Sequence, residues 1–107
     1  MKLLRKTIHP SIDSIDNKSF WERPATRGII TRNNEILLLY TQRYDDYSLP
    51  GGGLDKDEDI VEGLKREIAE ETGAQNIRNI VPFGKYEEYR PCTRTEFDMV
   101  FITSYCY

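Results

Sequence analysis

The sequence predicts one domain, spanning residues 1–107, of the α/β class. The length is close to the common size of a single domain, and no internal repeat divides it. Segments with strand-like patterns lie before and after one segment that has the period of an amphipathic helix. The content of 38% hydrophobic and 31% charged residues suits a soluble globular protein and argues against disorder.

The first 26 residues are predicted to be loops with one short edge strand, because Pro10 and Pro24 discourage a continuous helix. The segments RGIIT and EILLLYTQ then predict a hairpin, since two asparagines between them tolerate the positive φ of a tight turn. The second segment is apolar at its centre, so we expect residues 35–41 inside the sheet with both faces covered. A tyrosine-rich loop, RYDDYSLPGGG, follows.

The helix is predicted to begin after Asp57 as N-cap and to end at Gly73 as C-cap. After it, NIRNIVPFGKYEEY predicts a strand interrupted at Pro82 and Gly84. The segment EFDMVFITSYCY alternates and is rich in β-branched and aromatic residues, which predicts another strand. Because the chain stops inside that segment, we expect a shortened version of a longer domain, with part of the sheet uncovered.

Apart from carboxylates, the chain has few side chains suited to catalysis or metal binding. His9 is the only histidine, which leaves little material for His-based metal sites or for Ser-His and Cys-His catalysis. Cys92 and Cys106 are too few for a disulfide framework, and no CxxC pair is present for zinc. Residues 51–74 contain eight acidic and three basic residues, a net charge of −5. This distribution indicates a local cation site rather than a general nucleic-acid surface.

Glu67, Glu70 and Glu71 lie at the rim of the helix's apolar face when each residue is placed at about 100° per position. A solvated acidic face would instead lie opposite the apolar stripe. Gly63 projects among the three carboxylates, so we expect open space beside them. Carboxylates packed at a core edge require protons or a cation, and oxygen ligands favour Mg²⁺ or Mn²⁺.

Two other motifs overlap the same region. The segment DKDED imitates the start of a calcium loop, but Ile60 and Arg66 replace the glycine and glutamate that such a loop needs. The run GGG before a helix resembles a phosphate-binding loop, but no Gly-Lys-Ser/Thr follows and acidic residues crowd the helix start. Neither motif is supported.

The segment GGLDKDEDIVEGLKREIAEETGA resembles the Nudix box, written GX5EX7REUXEEXGU, where U is a bulky aliphatic residue. The resemblance spans Gly52 to Ala74, and only Ala74, small where a bulky residue is usual, departs from the pattern. It implies an α/β/α sandwich around a mixed sheet, in a chain that lacks the family's usual C-terminal portion. The matching positions are Gly52, Glu58, Arg66, Glu67, Ile68, Glu70, Glu71 and Gly73.

The resemblance also implies Mg²⁺-dependent hydrolysis of a diphosphate linkage in a nucleoside diphosphate derivative. Glu67, Glu70 and Glu71 match the family's metal-binding carboxylates, and the carbonyl of Gly51 commonly adds a ligand. In some members the residue matching Glu67 activates the water, and in others an acid on a later loop does so. The implied catalytic residues are Glu67, Glu70 and Arg66, with Glu58 orienting Arg66.

Arg27, Arg43, Tyr44 and Tyr47 are candidates for substrate contacts, because they lie on strands and a loop near the box. Pro91, seventeen residues past the box, slightly favours an ADP-ribose-like substrate among the family's classes. Four further acids are open as an additional metal ligand or base: Glu87, Glu88, Glu96 and Asp98.

Two other functions stay open at this point: a non-catalytic nucleotide-binding or regulatory module on the same fold, and a purely structural acidic helix. The expected partner is a small molecule of the nucleoside diphosphate type, and a homodimer would be one way to complete an exposed sheet edge. We expect no membrane partner, because no apolar run approaches the roughly 20 residues that span a bilayer. The N-terminus also lacks a secretory signal, so the expected location is the cytoplasm.

Overall fold

The computed structural model describes all 107 residues as nine strands and one helix. Five strands form a mixed sheet, and the other four form two small hairpins. The helix is too short and too polar to cross a membrane. In chain order the elements are β1 (Leu3–Ile8), β2 (Phe20–Arg27), β3 (Thr31–Arg32), β4 (Glu35–Ile36), β5 (Leu39–Thr41), β6 (Asp46–Ser48), β7 (Gly51–Gly53), α1 (Ile60–Thr72), β8 (Gly84–Pro91) and β9 (Met99–Cys106).

The strand order in the main sheet is β1-β8-β9-β2-β7. β1 pairs parallel with β8, and β2 pairs parallel with β9, whereas β8–β9 and β2–β7 are antiparallel. Helix α1 packs on β2 and β7, where Leu64 and Ile68 are each only 2% exposed. Burying each of these side chains contributes about 1.5–3 kcal/mol. The predicted α/β class and mixed sheet are confirmed, with a helix on one face of the sheet.

Strand β2 corrects the prediction that the first 26 residues are mostly loops. The structure contains the predicted edge strand, β1, but residues 20–27 also form a central strand that includes Pro24. A residue's N–H and C=O point to the same side of a strand, and the carbonyl of Pro24 accepts a hydrogen bond from Leu54 N at 3.0 Å. The nitrogen of Pro24 therefore points to the side where β7 has ended, so no ladder bond is lost.

The hairpin turn at Asn33 and Asn34 is confirmed, with φ of 49° and 66° at the two residues. Its second strand is not the buried one that was predicted: residues 35–41 break into β4 and β5, and both lie outside the main sheet. Ile36 and Leu38 are 49% and 43% exposed. The physical reason is that β9 and β7 occupy both sides of β2 and the single helix packs elsewhere, so no layer covers this segment.

The helix N-cap is Asp59 rather than the predicted Asp57. Asp59 has extended dihedrals and its side chain accepts a hydrogen bond from Glu62 N at 3.1 Å, whereas Asp57 has φ 63° in the preceding turn. The predicted C-cap is confirmed, because Gly73 has φ 76° and donates its N–H to Ala69 O at 2.9 Å.

The space expected beside Gly63 is filled from within the chain. A Cβ on Gly63 would lie 2.3 Å from Leu54 Cδ2 and 3.0 Å from Glu58 Oε1. The glycine therefore lets the Leu54 side chain and the Glu58 carboxylate approach the helix backbone. The expectation of an opening for a ligand at this position is wrong.

Strand β8 begins at Gly84 instead of being interrupted there, and residues 77–83 form no strand. A Cβ on Gly84 would lie within 2.8 Å of the Leu4 side chain, so this glycine lets β1 pack against the start of β8. The predicted strand near the end of the chain is confirmed as β9, and it lies at the centre of the sheet between β8 and β2.

Candidate functional site

The site is built where the three-glycine strand β7 meets helix α1. A Cβ on Gly52 would lie 2.8 Å from Glu67 Oε1 and 3.0 Å from Glu67 Oε2. Any side chain at this position would therefore displace the carboxylate. Because Gly52 has none, Glu67 lies directly against the strand, and its side chain is only 17% exposed.

Arg66 is the centre of the charged network at this site. Its Nε lies 2.8 Å from Glu58 Oε2 and its Nη2 lies 3.0 Å from Glu58 Oε1, which is a bidentate pair. Its Nη1 reaches Glu67 Oε1 at 3.2 Å and Glu70 Oε2 at 3.3 Å. Its Nη2 also donates to Gly53 O at 3.3 Å. One guanidinium therefore joins the loop before the helix, strand β7 and two glutamates of α1.

These contacts shift the protonation equilibria of the pair. The hydrogen bonds from Arg66, together with the Asp55 N–H at 2.9 Å, lower the pKa of Glu58 to about 2. The hydrogen bond to Glu58 in turn raises the pKa of Arg66. Both groups are therefore charged near neutral pH.

Glu71 lies one turn after Glu67 on α1, and its Oε1 accepts a hydrogen bond from Gly51 N at 2.8 Å. Partial desolvation raises the pKa of Glu71, the Gly51 N–H opposes that shift, and the Glu67 charge adds to it. Glu71 thus has the opposite electrostatic setting from Glu58: no side chain of the protein neutralises it within ion-pair distance. A cation would relieve this charge.

The carboxylates are not arranged as a finished metal site. No three acidic, histidine or cysteine side chains lie close enough together to hold an ion. Arg66 Nη1 instead lies within ion-pair distance of both Glu67 and Glu70. The donor set itself, three carboxylates and a backbone carbonyl, suits a hard ion such as Mg²⁺. Glu70 is 58% exposed and free to turn from Arg66 toward an ion. The carbonyl of Gly51 accepts one bond, from Arg27 Nη1 at 3.3 Å.

The predicted substrate contacts separate into two groups. Arg27 and Tyr44 line a cleft of about 590 Å³ on the sheet face opposite α1. Arg43 and Tyr47 lie outside its lining: the Arg43 guanidinium lies 5.3 Å from the Tyr44 ring, and Tyr47 packs on Tyr40 at 5.1 Å in the β5–β6 hairpin. The structure therefore brings only two of the four together.

The cleft also contains residues that the sequence predictions missed, namely Trp21, Arg23 and Arg90. Trp21 and Arg23 belong to β2, which was predicted to be a loop. The available signal was the alternation of Trp21, Arg23, Ala25 and Arg27, since every second residue of a strand points to the same face.

The later acids and Pro91 also have defined positions. Pro91 and Glu88 line the cleft, and Glu87 points to the other face of β8. Glu96 forms an ion pair with Arg94 at 3.3 Å, and Asp98 accepts a hydrogen bond from the backbone at the start of β2 at 2.8 Å. A separate groove of about 560 Å³ lies between α1 and residues 77–83, but its lining is mainly apolar and contains none of these acids.

Comparison with known proteins adds an independent line of evidence. The family model named NUDIX domain matches residues 21–106. The crystal structure of the mutator MutT protein from Bacillus halodurans is similar at 25% identity and a TM-score of 0.61, over 78% of this chain and 54% of that chain. The solution structure of the E. coli ORF135 protein has a similar fold, with 20% identity and a TM-score of 0.50, over 81% of this chain and 61% of that chain.

The matches to these two structures cover little more than half of their own lengths. The family model, in contrast, covers most of the present chain and includes every element from β2 to β9 apart from Phe20, the first residue of β2. The acidic helix, the glycine strand and the mixed sheet described above all lie within the matched residues. The chain therefore belongs to the NUDIX domain family.

Proposed function

We infer that this protein hydrolyses a diphosphate linkage in a nucleoside diphosphate derivative, with Mg²⁺ or Mn²⁺ as the metal. The observation that carries this inference is the arrangement at β7. Glu67 lies against Gly52, Glu71 is hydrogen-bonded to Gly51, and Arg66 holds Glu67 and Glu70. Carboxylates of this kind, partly desolvated and next to a strand without side chains, suit a metal-bound phosphate.

The residues that would hold the metal are Glu67, Glu70, Glu71 and the carbonyl of Gly51. When bound, such an ion polarises phosphoryl oxygens and lowers the pKa of bound water. The chain's own residues supply the remaining functions. Arg66 orients Glu67 through the bond at 3.2 Å, and Glu58 fixes Arg66 from the opposite side at 2.8 Å.

The reaction that this site supports is a single displacement at phosphorus. The oxygen of a water molecule bonds to one phosphorus atom, the bond from that phosphorus to the bridging oxygen breaks, and the second phosphate leaves with the electron pair. Glu67 accepts the proton that the water loses. No nucleophilic side chain is required, so positioning and charge stabilisation carry the catalysis.

Within this class, an ADP-ribose-like substrate is slightly favoured. Pro91 supports this preference in two ways. Its distance from the box favours this substrate class, and it lines the cleft on the sheet face opposite α1. The cleft volume of about 590 Å³ is in the usual range for small-molecule sites.

A non-catalytic nucleotide-binding module is the second candidate function. The observation that favours it is that Arg66 already neutralises Glu67 and Glu70, so the three carboxylates are not gathered for an ion. A protein of this kind would bind the nucleotide and release it unchanged.

The test is an assay with ADP-ribose, nucleotide sugars and dinucleoside polyphosphates in the presence of Mg²⁺. Glu70→Gln is expected to lower kcat at least about 100-fold, because the loss of one metal ligand removes several kcal/mol of charge stabilisation. The matched control is Glu62→Gln on the same helix, where Glu62 pairs only with Lys65 at 3.5 Å. Binding without product in every case would favour the second candidate, and equal rates in the two variants would contradict the catalytic assignment.

A further inference from the structure

The cleft opposite α1 contains three arginines without an acidic partner. No carboxylate lies within 4.0 Å of the guanidinium of Arg23, Arg27 or Arg90. Arg66, in contrast, contacts four carboxylates. Unpaired guanidinium groups that converge on one concave surface are a fitting site for phosphate or carboxylate.

Of the three arginines, Arg27 shows the lack of a partner most directly. Its Nη1 donates to two backbone carbonyls, Leu49 O at 2.9 Å and Gly51 O at 3.3 Å, and these bonds hold the side chain in place. Its Nε is buried and has no hydrogen-bond partner. Because this Nε is inaccessible, Arg27 would attract an anion in the cleft through its charge rather than through a hydrogen bond from Nε.

Arg23 connects this cleft to the carboxylate site. A Cβ on Gly53 would lie 3.0 Å from Arg23 Nη2, while the neighbouring Gly52 has Glu67 against its opposite face. Consecutive residues of a strand point to opposite faces, so the two sites are separated only by the backbone of β7. Because β7 is the edge strand of the sheet, no further strand lies between the two sites on that side.

Trp21 lies beside Arg23 in the cleft and beside Arg94, which lies outside the cleft lining and pairs with Glu96. Its ring lies 6.0 Å from the guanidinium carbon of Arg23 and 5.0 Å from that of Arg94. Attraction between a guanidinium and an aromatic face orders side chains that would otherwise be mobile. The adjacent floor is apolar, with Val100 and Ile102, and suits the ring of a sugar or base.

The charge of the lining is also positive. Two acids, Asp46 and Glu88, face the three arginines, so the lining has a net charge of +1. The site on the other side of β7 is acidic. A substrate that spans the two sites would place a metal-bound diphosphate at the acidic site. Its other end, in the positively charged cleft, would carry negative charge.

From these observations we propose that the cleft of Trp21, Arg23, Arg27 and Arg90 binds the substrate group beyond the diphosphate and selects substrates in which that group is anionic. The identity of the diphosphate part rests on the function proposed above. The selected group is a phosphate or a carboxylate on a ring that lies on the apolar floor. Among ADP-ribose-like and other nucleotide-sugar substrates, this selectivity favours those whose second sugar carries an anionic group over those whose second sugar is neutral.

Trp21 is the only tryptophan of the chain, so its fluorescence reports occupancy of the cleft without any turnover. The titration uses the full chain with Glu70→Gln and compares UDP-glucose with UDP-glucuronate, which differ in one carboxylate. We expect a Kd about tenfold lower for UDP-glucuronate, since a charge-assisted contact of roughly 1.4 kcal/mol corresponds to that factor. A third arm with UTP distinguishes a terminal phosphate from a carboxylate as the preferred anion.

The matched variants are Arg23→Gln with Arg90→Gln in the cleft, and Arg32→Gln on the exposed β3–β4 hairpin. The cleft variant is expected to lose the preference and the hairpin variant to retain it. In the unsubstituted cleft, the preference is expected to shrink as salt rises. Equal affinities for the probes, an unchanged preference in the cleft variant, or no response of Trp21 to any probe would overturn the proposal. The binding titration and the turnover assay can fail independently. A preference for anionic probes without turnover of any substrate would contradict the proposed function alone. Turnover without that preference would contradict this inference alone.

Discussion

Glu58 and Arg66 form a bidentate ion pair, with 2.8 Å and 3.0 Å between their paired atoms, that ties the loop before α1 to the middle of the helix. The pair is partly shielded from solvent, since the two side chains are 16% and 29% exposed. The Nη1 of Arg66 also donates to Glu67 and Glu70. The position of the proposed metal ligands therefore depends on a residue that touches neither metal nor substrate.

Replacing Glu58 by Gln is expected to lower kcat about 10- to 100-fold with a small change in KM, the usual effect of losing a group that orients metal ligands. Arg66→Lys is expected to act similarly, because an ammonium cannot make the bidentate contact. Steady-state kinetics on the best substrate of the panel measure both effects. If Glu58→Gln stays within about twofold of the native rate, as we expect for Glu62→Gln, the orienting role is wrong.

The same pair predicts a dependence of stability on pH. The folded pKa of Glu58, about 2, lies below the ordinary value of 4.5, so its contribution is fully present above pH 4.5. That contribution is lost as the pH falls toward 2. Melting temperatures of the native chain and Glu58→Gln should therefore differ at pH 5–7 and converge toward pH 2. A difference that is constant with pH would contradict the assigned ion pair.

Glu71 should behave in the opposite way, because its pKa is raised in the folded state. A raised carboxyl pKa favours folding in acid and loses that contribution as the pH rises through the folded pKa. Glu71→Gln should therefore raise Tm at pH 7 without divalent ions and change it little at pH 4. Mg²⁺ should raise the Tm of the native chain at pH 7 and have a smaller effect on the variant. Equal responses to Mg²⁺ would argue against Glu71 as a ligand.

Three glycines offer a comparison of structural and functional substitutions. Gly51→Ala should destabilise the fold by about 2–5 kcal/mol, because its φ is 139° and the new Cβ would lie 2.0 Å from Thr26 O. Gly73→Ala, at φ 76° in open space, should cost about 1 kcal/mol.

Gly52→Ala is different, since the new Cβ would meet only the movable Glu67 carboxylate. We expect activity to fall with little loss of stability. Urea unfolding of the three variants, read beside their rates, checks the order. A stability loss for Gly52→Ala as large as that for Gly51→Ala would contradict this assignment.

Local patterns in the sequence were sufficient where the structure depends on neighbouring residues. The Asn33-Asn34 turn, the Gly73 cap and the strand β9 are all confirmed. The helical phase also anticipated that Glu67 lies at the edge of the buried face, where it is 17% exposed. The NUDIX assignment followed from the spacing of the box and agrees with the family match.

Local patterns were insufficient where distant strands decide the outcome. Pro24 makes β2 resemble a loop when only local sequence preferences are considered, yet β2 pairs along its full length with β9. The apolar residues 35–41 indicate a buried strand, but only the arrangement of the other strands shows that no place in the sheet remains for them. The cleft was missed for the same reason, since Trp21 and Arg23 share a face with Arg90 only because β9 pairs with both β2 and β8.

The parallel pairing of β2 with β9 also has a consequence for how the protein is made. Ser19 and Asp98, 79 residues apart, are hydrogen-bonded at the point where these strands start. At about 5–20 residues per second, a ribosome needs roughly 4–16 s to synthesise the intervening chain. Until β9 is made, the edge of β2 that pairs with it has no partner strand. We therefore expect this late, long-range pairing to slow folding, as is usual for sheets with distant partners.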